Sequence, residues 1–170
     1  MTIHSGHPFA PADDAKDAAR RFRGRLASPV TLWMAGRDRD RVGLTVSSVL
    51  VGLGDPPVVV GLLDPDADLA RAEPERFTVT VLTALDRGLA DRFGGVAPAP
   101  GGVFAQADVA DSDWGPILTG DRSWVGVRTL QRRTLGWSVE LVGVIESVTL
   151  ASVDPVAHVR GRYRGLAEAL

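Results

Sequence analysis

The run Arg41-Val42-Gly43-Leu44-Thr45-Val46-Ser47-Ser48-Val49-Leu50-Val51-Gly52, followed after the Gly54-Asp55-Pro56-Pro57 corner by Val58-Val59-Val60-Gly61-Leu62-Leu63, decides the fold class. Both halves are dense in valine and leucine, which suit a pleated surface, and the glycine-proline corner between them marks a turn. They read as adjoining buried strands. Upstream, Pro29 ends a helical pattern, and Val30-Thr31-Leu32-Trp33-Met34 reads as another strand that leaves through the charged hairpin turn Gly36 to Asp40. A doubly wound parallel sheet places a helix after nearly every strand. The sequence between Val30 and Leu63 has no room for one, so the strands are expected to run antiparallel.

Working outward, residues 1–12 read as a flexible leader and 13–170 as a single domain. Asp13 and Asp14 are placed to cap a short helix from Ala15 to Leu26, with Arg20, Arg21, Arg23 and Arg25 facing solvent. Arg76 to Leu82 alternates Phe77, Val79 and Val81 with Thr78 and Thr80, the period-2 pattern of a half-buried strand. Thr83 to Phe93 changes to helical spacing, with Leu85, Leu89 and Phe93 in one stripe. Gly94 to Gly120 is rich in glycine, proline, alanine and aspartate and reads as an irregular surface excursion. Ser123 to Leu130 and Trp137 to Leu150 supply two more strands joined by polar Gln131 to Thr134, and Pro155 to Leu170 reads as a short helix or an extended arm. The result is a mainly β chain with peripheral helices, an antiparallel barrel of about six strands.

Composition narrows the function. A formal charge of −2, from 19 basic and 21 acidic residues well interspersed, gives no electrostatic reason to expect nucleic acid or an anionic membrane as partner. With no cysteine, thiolate catalysis and cysteine-ligated zinc are excluded; His4, His7 and the distant His158 form no metal cluster. No apolar run reaches the roughly 18 residues of a membrane span. Met1 to Pro11 lacks the continuous apolar segment of a signal peptide, so a soluble cytoplasmic protein is expected.

Several segments then fall into a known order. Ser28-Pro29-Val30-Thr31, Gly43-Leu44-Thr45-Val46-Ser47-Ser48 and Asp55-Pro56-Pro57-Val58-Val59-Val60-Gly61-Leu62 are followed by Arg76 to Leu82, Leu89-Ala90-Asp91-Arg92-Phe93, Val142-Gly143-Val144-Ile145 and Arg160-Gly161-Arg162-Tyr163. This succession resembles the flavin reductase-like family over roughly residues 20–165. The resemblance implies a six-stranded split β-barrel of the FMN-binding type, usually a homodimer. It implies FMN, with FAD or a deazaflavin as alternatives, bound without a Rossmann glycine loop. It also implies NAD(P)H as co-substrate and a partner monooxygenase as one destination for the electrons.

The same resemblance implies flavin contacts at Thr45, Val46, Ser47, Ser48, Asp64, Arg92 and Phe93, with no catalytic side chain assigned. Strand periodicity puts Thr45 and Ser47 on one face and Ser48 on the other. By residue type alone, a Thr/Ser cluster is ordinary strand decoration, and Phe93 extends the apolar stripe of Leu85 and Leu89. Arg92 would balance a phosphate.

Two departures stand out. Where the family commonly carries a polar or basic loop after the second strand, this chain has Asp64-Pro65-Asp66-Ala67-Asp68, whose carboxylates would repel a phosphate unless the loop turns away or caps the next helix. Five residues before Gly143, nicotinamide-using relatives often have histidine; here the residue is Ser138, which does not titrate near neutral pH, preceded by Trp137. An alternative is therefore a non-catalytic or deazaflavin-binding barrel with an altered site. Trp33, Trp114, Trp124 and Trp137 are each compatible with core, interface or ligand-stacking roles, and Trp114, in the long Gly94–Gly120 segment, is placed to close over a ligand.

Overall fold

A computed structural model describes residues 13–166, with side chains from Ala18 onward; the expected leader lies outside the described residues. Helix α1 (Asp13–Arg23) is followed by β1 (Ser28–Pro29), β2 (Thr31–Ala35), β3 (Val42–Val46), β4 (Val49–Gly52) and β5 (Val58–Leu63). Then come α2 (Asp68–Ala72), β6 (Arg76–Val81), α3 (Arg87–Phe93), β7 (Val109–Ser112), β8 (Gly115–Leu118), β9 (Trp124–Leu135), β10 (Ser138–Thr149), β11 (Val156–Val159) and β12 (Arg162–Gly165). Among the described residues no helix is long and apolar enough to cross a membrane.

Seven strands form the main sheet in the order β3-β2-β6-β9-β10-β5-β4, every neighbouring pair antiparallel. Strands β3 and β4 occupy opposite edges of that order, yet only Ser47 and Ser48 separate them in sequence. Laid flat, seven strands would hold the two edges roughly 29 Å apart. The link from Val46 to Val49 reaches at most about 11 Å. The sheet must therefore curl until its edges meet, which makes it a split barrel with Ser47-Ser48 at the seam.

The alternation of β2 shows how both sides of this wall are filled. Trp33 points inward with Phe77, Val59, Leu63, Val127 and Leu141. Leu32 and Met34 point outward into a second cluster with Leu82, Ala90, Phe93, Leu118 and Val156. All five residues of β2 are buried as a result.

Several expectations change at this level. Strand β4 is an exposed edge rather than a buried strand, because β5 covers only one of its sides. Strand β6 is buried on both faces: Thr78 donates its hydroxyl to the Pro116 carbonyl at 2.5 Å, since β8 lies across it. Leu85 leaves the anticipated stripe and is 91% exposed. A reciprocal cap between Thr83 and Asp86 winds residues 84–86 into a tight 3-10 turn before α3 starts, and this rotates Leu85 outward.

The segment 94–120 contains the β7–β8 hairpin, not only irregular chain. Gln131 to Thr134 belongs to β9, so the turn falls at Gly136-Trp137, where Gly136 takes a positive φ of 59°. The tail folds as the β11–β12 hairpin, which with β1 makes a small second sheet. Helix α1 stops at Arg23, three residues before the expected Leu26, and its described arginines face solvent.

Candidate functional site

The seam is held from both sides by its own neighbours. Trp33 Nε1 donates to Thr31 Oγ1 at 2.9 Å, and that hydroxyl donates to the Val46 carbonyl at 2.6 Å, deep in the core. On the other side the Leu62 N–H donates to the Ser48 carbonyl at 3.1 Å. The Ser47-Ser48 backbone is thereby fixed at a half-buried position, while neither serine hydroxyl has a hydrogen-bond partner among the described residues. Two hydroxyls without a protein partner at a pinned, half-buried turn are an available ligand contact.

The other two residues of the Thr45–Ser48 run are differently employed. Thr45 donates to the Ala90 carbonyl at 2.8 Å and so ties β3 to α3. Val46 sends its side chain into the barrel core, and its carbonyl takes the Thr31 hydroxyl as well as its place in the ladder.

Register brings the acidic loop and Ser138 to the same end of the barrel. Val49 faces Gly61 across β4–β5, and Val139 faces Leu63 across β10–β5. Ser48 thus lies by Leu62, and Ser138 and Asp64 each follow one residue beyond the Val139–Leu63 pair. Much of the loop's negative charge is turned to local use. Asp64 Oδ1 accepts the Asp66 N–H at 2.9 Å, Asp66 pairs with Arg71 at 2.8 Å, and Asp68 stands in the first turn of α2. Trp137 sits exposed at the β9–β10 turn next to Ser138.

Helix α3 presents the remaining two predicted residues on different faces. Phe93 is buried against Phe104, ring edge to ring face at 5.1 Å, in the outer cluster. Arg92 is turned roughly 100° away around the helix. It lines a cleft of about 300 Å³ with Leu89, Gln106, Thr119 and Arg122, a cleft that includes none of Thr45 to Ser48. Its Nε is buried there without a hydrogen-bond partner, as is that of Arg122, whose Nη2 pairs with Asp86 at 3.0 Å. Tyr163, from the tail motif, donates to Asp91 at 2.7 Å and anchors α3; burial first, and that acceptor second, push its phenol above the ordinary range.

Residue patterns gave no sign of the Trp33–Thr31–Val46 relay, because a threonine in a strand looks the same whether its hydroxyl is spent or free. They also left Trp114 open. It folds back onto the sheet directly over Gly126, where any side chain would collide with the indole. Its Nε1 donates to Glu146 at 2.9 Å, so it fastens the β7–β8 hairpin to β10.

The model of the flavin reductase-like domain matches residues 23–167. Among solved structures, the NADH:FAD oxidoreductase SgcE6 of Streptomyces globisporus, in complex with NAD and FAD fragments, is 20% identical. It aligns over 96% of this chain and 99% of its own, with a TM-score of 0.81. The flavin reductase PheA2 is 17% identical over 92% and 100% of the two chains, with a TM-score of 0.81. Nitrilotriacetate monooxygenase component B from Mycobacterium thermoresistibile is 23% identical over 91% and 88%, with a TM-score of 0.79. No curated protein matches the sequence.

Proposed function

This chain belongs to the flavin reductase-like domain family, and from that premise we propose that it is an NAD(P)H-dependent flavin reductase holding FMN at the Ser47-Ser48 seam. The observation that carries the assignment of place is the pair of partnerless serine hydroxyls on a backbone fixed from both sides. When bound, the flavin supplies the hydride acceptor, so the polypeptide's task is placement. Ser47 and Ser48 would donate their hydroxyls to the cofactor's oxygens. The Trp33–Thr31–Val46 relay holds them in register against thermal motion. Ser138 offers no proton near neutral pH, and hydride transfer requires none from it. Arg71 screens the acidic loop by engaging Asp66, which lowers the repulsion an approaching phosphate would meet.

Supporting the nicotinamide and the electron route, SgcE6 is described as an NADH:FAD oxidoreductase and another neighbour as the B component of a monooxygenase. We accordingly place this chain as a supplier of reduced flavin to a partner monooxygenase. The exposed edge strand β4, with Leu50, Val51 and Leu53 open to solvent, calls for a cover, and a second copy of the chain provides it.

Titration of FMN and of FAD against flavin fluorescence tests the site. FMN is expected to bind one per chain, and Ser47→Arg to abolish binding with the circular dichroism unchanged. An unaltered dissociation constant in Ser47→Arg would place the cofactor elsewhere.

A further inference from the structure

Away from the seam, the end of α1 and the β11–β12 turn border an open surface groove of about 440 Å³ lined by Arg20, Arg21, Arg25, Arg160, Gly24 and Gly161. Four guanidinium groups, with no carboxylate among the described residues of the lining, are unusual in a chain whose net charge is −2. Among the described residues none of the four has an ion-pair or hydrogen-bond partner for its side chain. We propose that this cleft is a binding site for a small polyphosphate-bearing ligand, separate from the flavin seam.

The helix end alone accounts for part of the charge, because arginines in a last turn interact favourably with the helix dipole. It does not account for Arg160, which comes from the distant β11–β12 turn and is held in the left-handed region at φ 51°. The Arg160 N–H donates to the Gly24 carbonyl at 2.6 Å and locks the two elements together.

Several carbonyls at the helix end are engaged by backbone N–H groups. Gly24 N–H donates to Arg20, Arg25 N–H to Phe22 and Leu26 N–H to Arg23. The groove is lined by guanidinium groups and by the backbone at Gly24 and Gly161. Above Gly161 there is nothing within 4 Å of the position a side chain would occupy, so a ligand can approach the backbone closely.

Planar guanidinium forks match phosphate oxygens two at a time, and four of them exceed the need of a single monoanion. A di- or triphosphate supplies the matching charge and fits a cleft of this size. Its binding also relieves the mutual repulsion of the four cations.

Isothermal titration calorimetry at constant ionic strength, with inorganic tripolyphosphate, ATP and sulfate as separate titrants into the full chain, tests the site. One tripolyphosphate is expected per chain, bound more tightly than sulfate. ATP binding no more tightly shows that the phosphate chain alone is recognised, whereas tighter ATP binding shows that a nucleotide is; either supports the site.

The double variant Arg21→Gln/Arg160→Asn should bind tripolyphosphate about tenfold more weakly or worse. Asparagine tolerates the left-handed backbone, so the turn survives the change. Arg39→Gln, on the β2–β3 turn, removes one charge outside the cleft and should bind as the parent does. The proposal is overturned if tripolyphosphate binds no better than sulfate, if the double variant binds as tightly as the parent, or if Arg39→Gln weakens binding as much as the double variant.

Discussion

Gly61 lies flat against the indole of Trp33: a β-carbon built on Gly61 would stand 2.5 Å from Trp33 Cη2. This contact joins β5 to β2 across the barrel interior, where Trp33 also stacks on Phe77 with ring centroids 5.0 Å apart. The curl of the sheet depends on the space that a missing side chain leaves for the tryptophan. Gly61→Ala is therefore expected to destabilise the fold by about 1–3 kcal/mol through overpacking, measured as a shift in the urea unfolding midpoint. A midpoint equal to that of the parent would mean that the interior has slack at this point.

Thr31 holds the seam through its hydroxyl, which accepts from Trp33 and donates to Val46. Thr31→Val keeps the shape and removes both bonds in a fully buried setting, with an expected loss of about 1–3 kcal/mol. Because Val46 leads directly into Ser47, flavin affinity should fall as well, even at temperatures where the variant is fully folded. Calorimetric unfolding and FMN titration on the same preparation separate the two effects. Retained affinity in a destabilised variant would show that the relay supports the core but not the site.

Glu146 gives the fold an acid-sensitive fastening. The Trp114 N–H, then Arg128, hold its carboxyl below the usual range. A group lowered in the folded state stabilises above its unfolded pKa, and that contribution is lost as pH falls through the folded value. The melting temperature of the parent should thus drop more steeply than that of Glu146→Gln below about pH 4.3, the ordinary glutamate value. Parallel profiles would mean that Glu146 is not coupled to unfolding.

Strand β4 offers an open edge with Leu50 73% and Val51 57% exposed. In the proposed dimer this edge is covered by the second copy. Light scattering should give twice the chain mass for the parent and a single-chain mass for Leu50→Glu/Val51→Lys. A parent that runs as a monomer would contradict the covered edge.

The barrel was legible before the structure because Val30 to Leu63 left no space for crossover helices and because the ordered motifs run on to Tyr163. Its closure was less so. That only two residues separate strands at opposite edges of the sheet becomes meaningful only when the strand order is known. Periodicity failed at Leu85, where a local cap took precedence over the apolar stripe, and at Thr78, whose small hydroxyl allowed a polar-looking face to be buried under β8. Ser47 and Ser48 could be named from the sequence, but their openness could not, since threonine and serine look alike whether spent, like Thr45 on Ala90, or free. Arg92 and Phe93 stand adjacent in sequence and diverge in space because neighbouring helix residues point about 100° apart.

The central claim is flavin-dependent oxidation of a reduced nicotinamide. The measurement that tests it most directly is the loss of the reduced nicotinamide's absorbance when the purified protein is given NADH or NADPH, with and without FMN. The account predicts turnover that requires both protein and flavin and that is lost in Ser47→Arg. Tight FMN binding with no oxidation of either nicotinamide would contradict it and leave a flavin carrier.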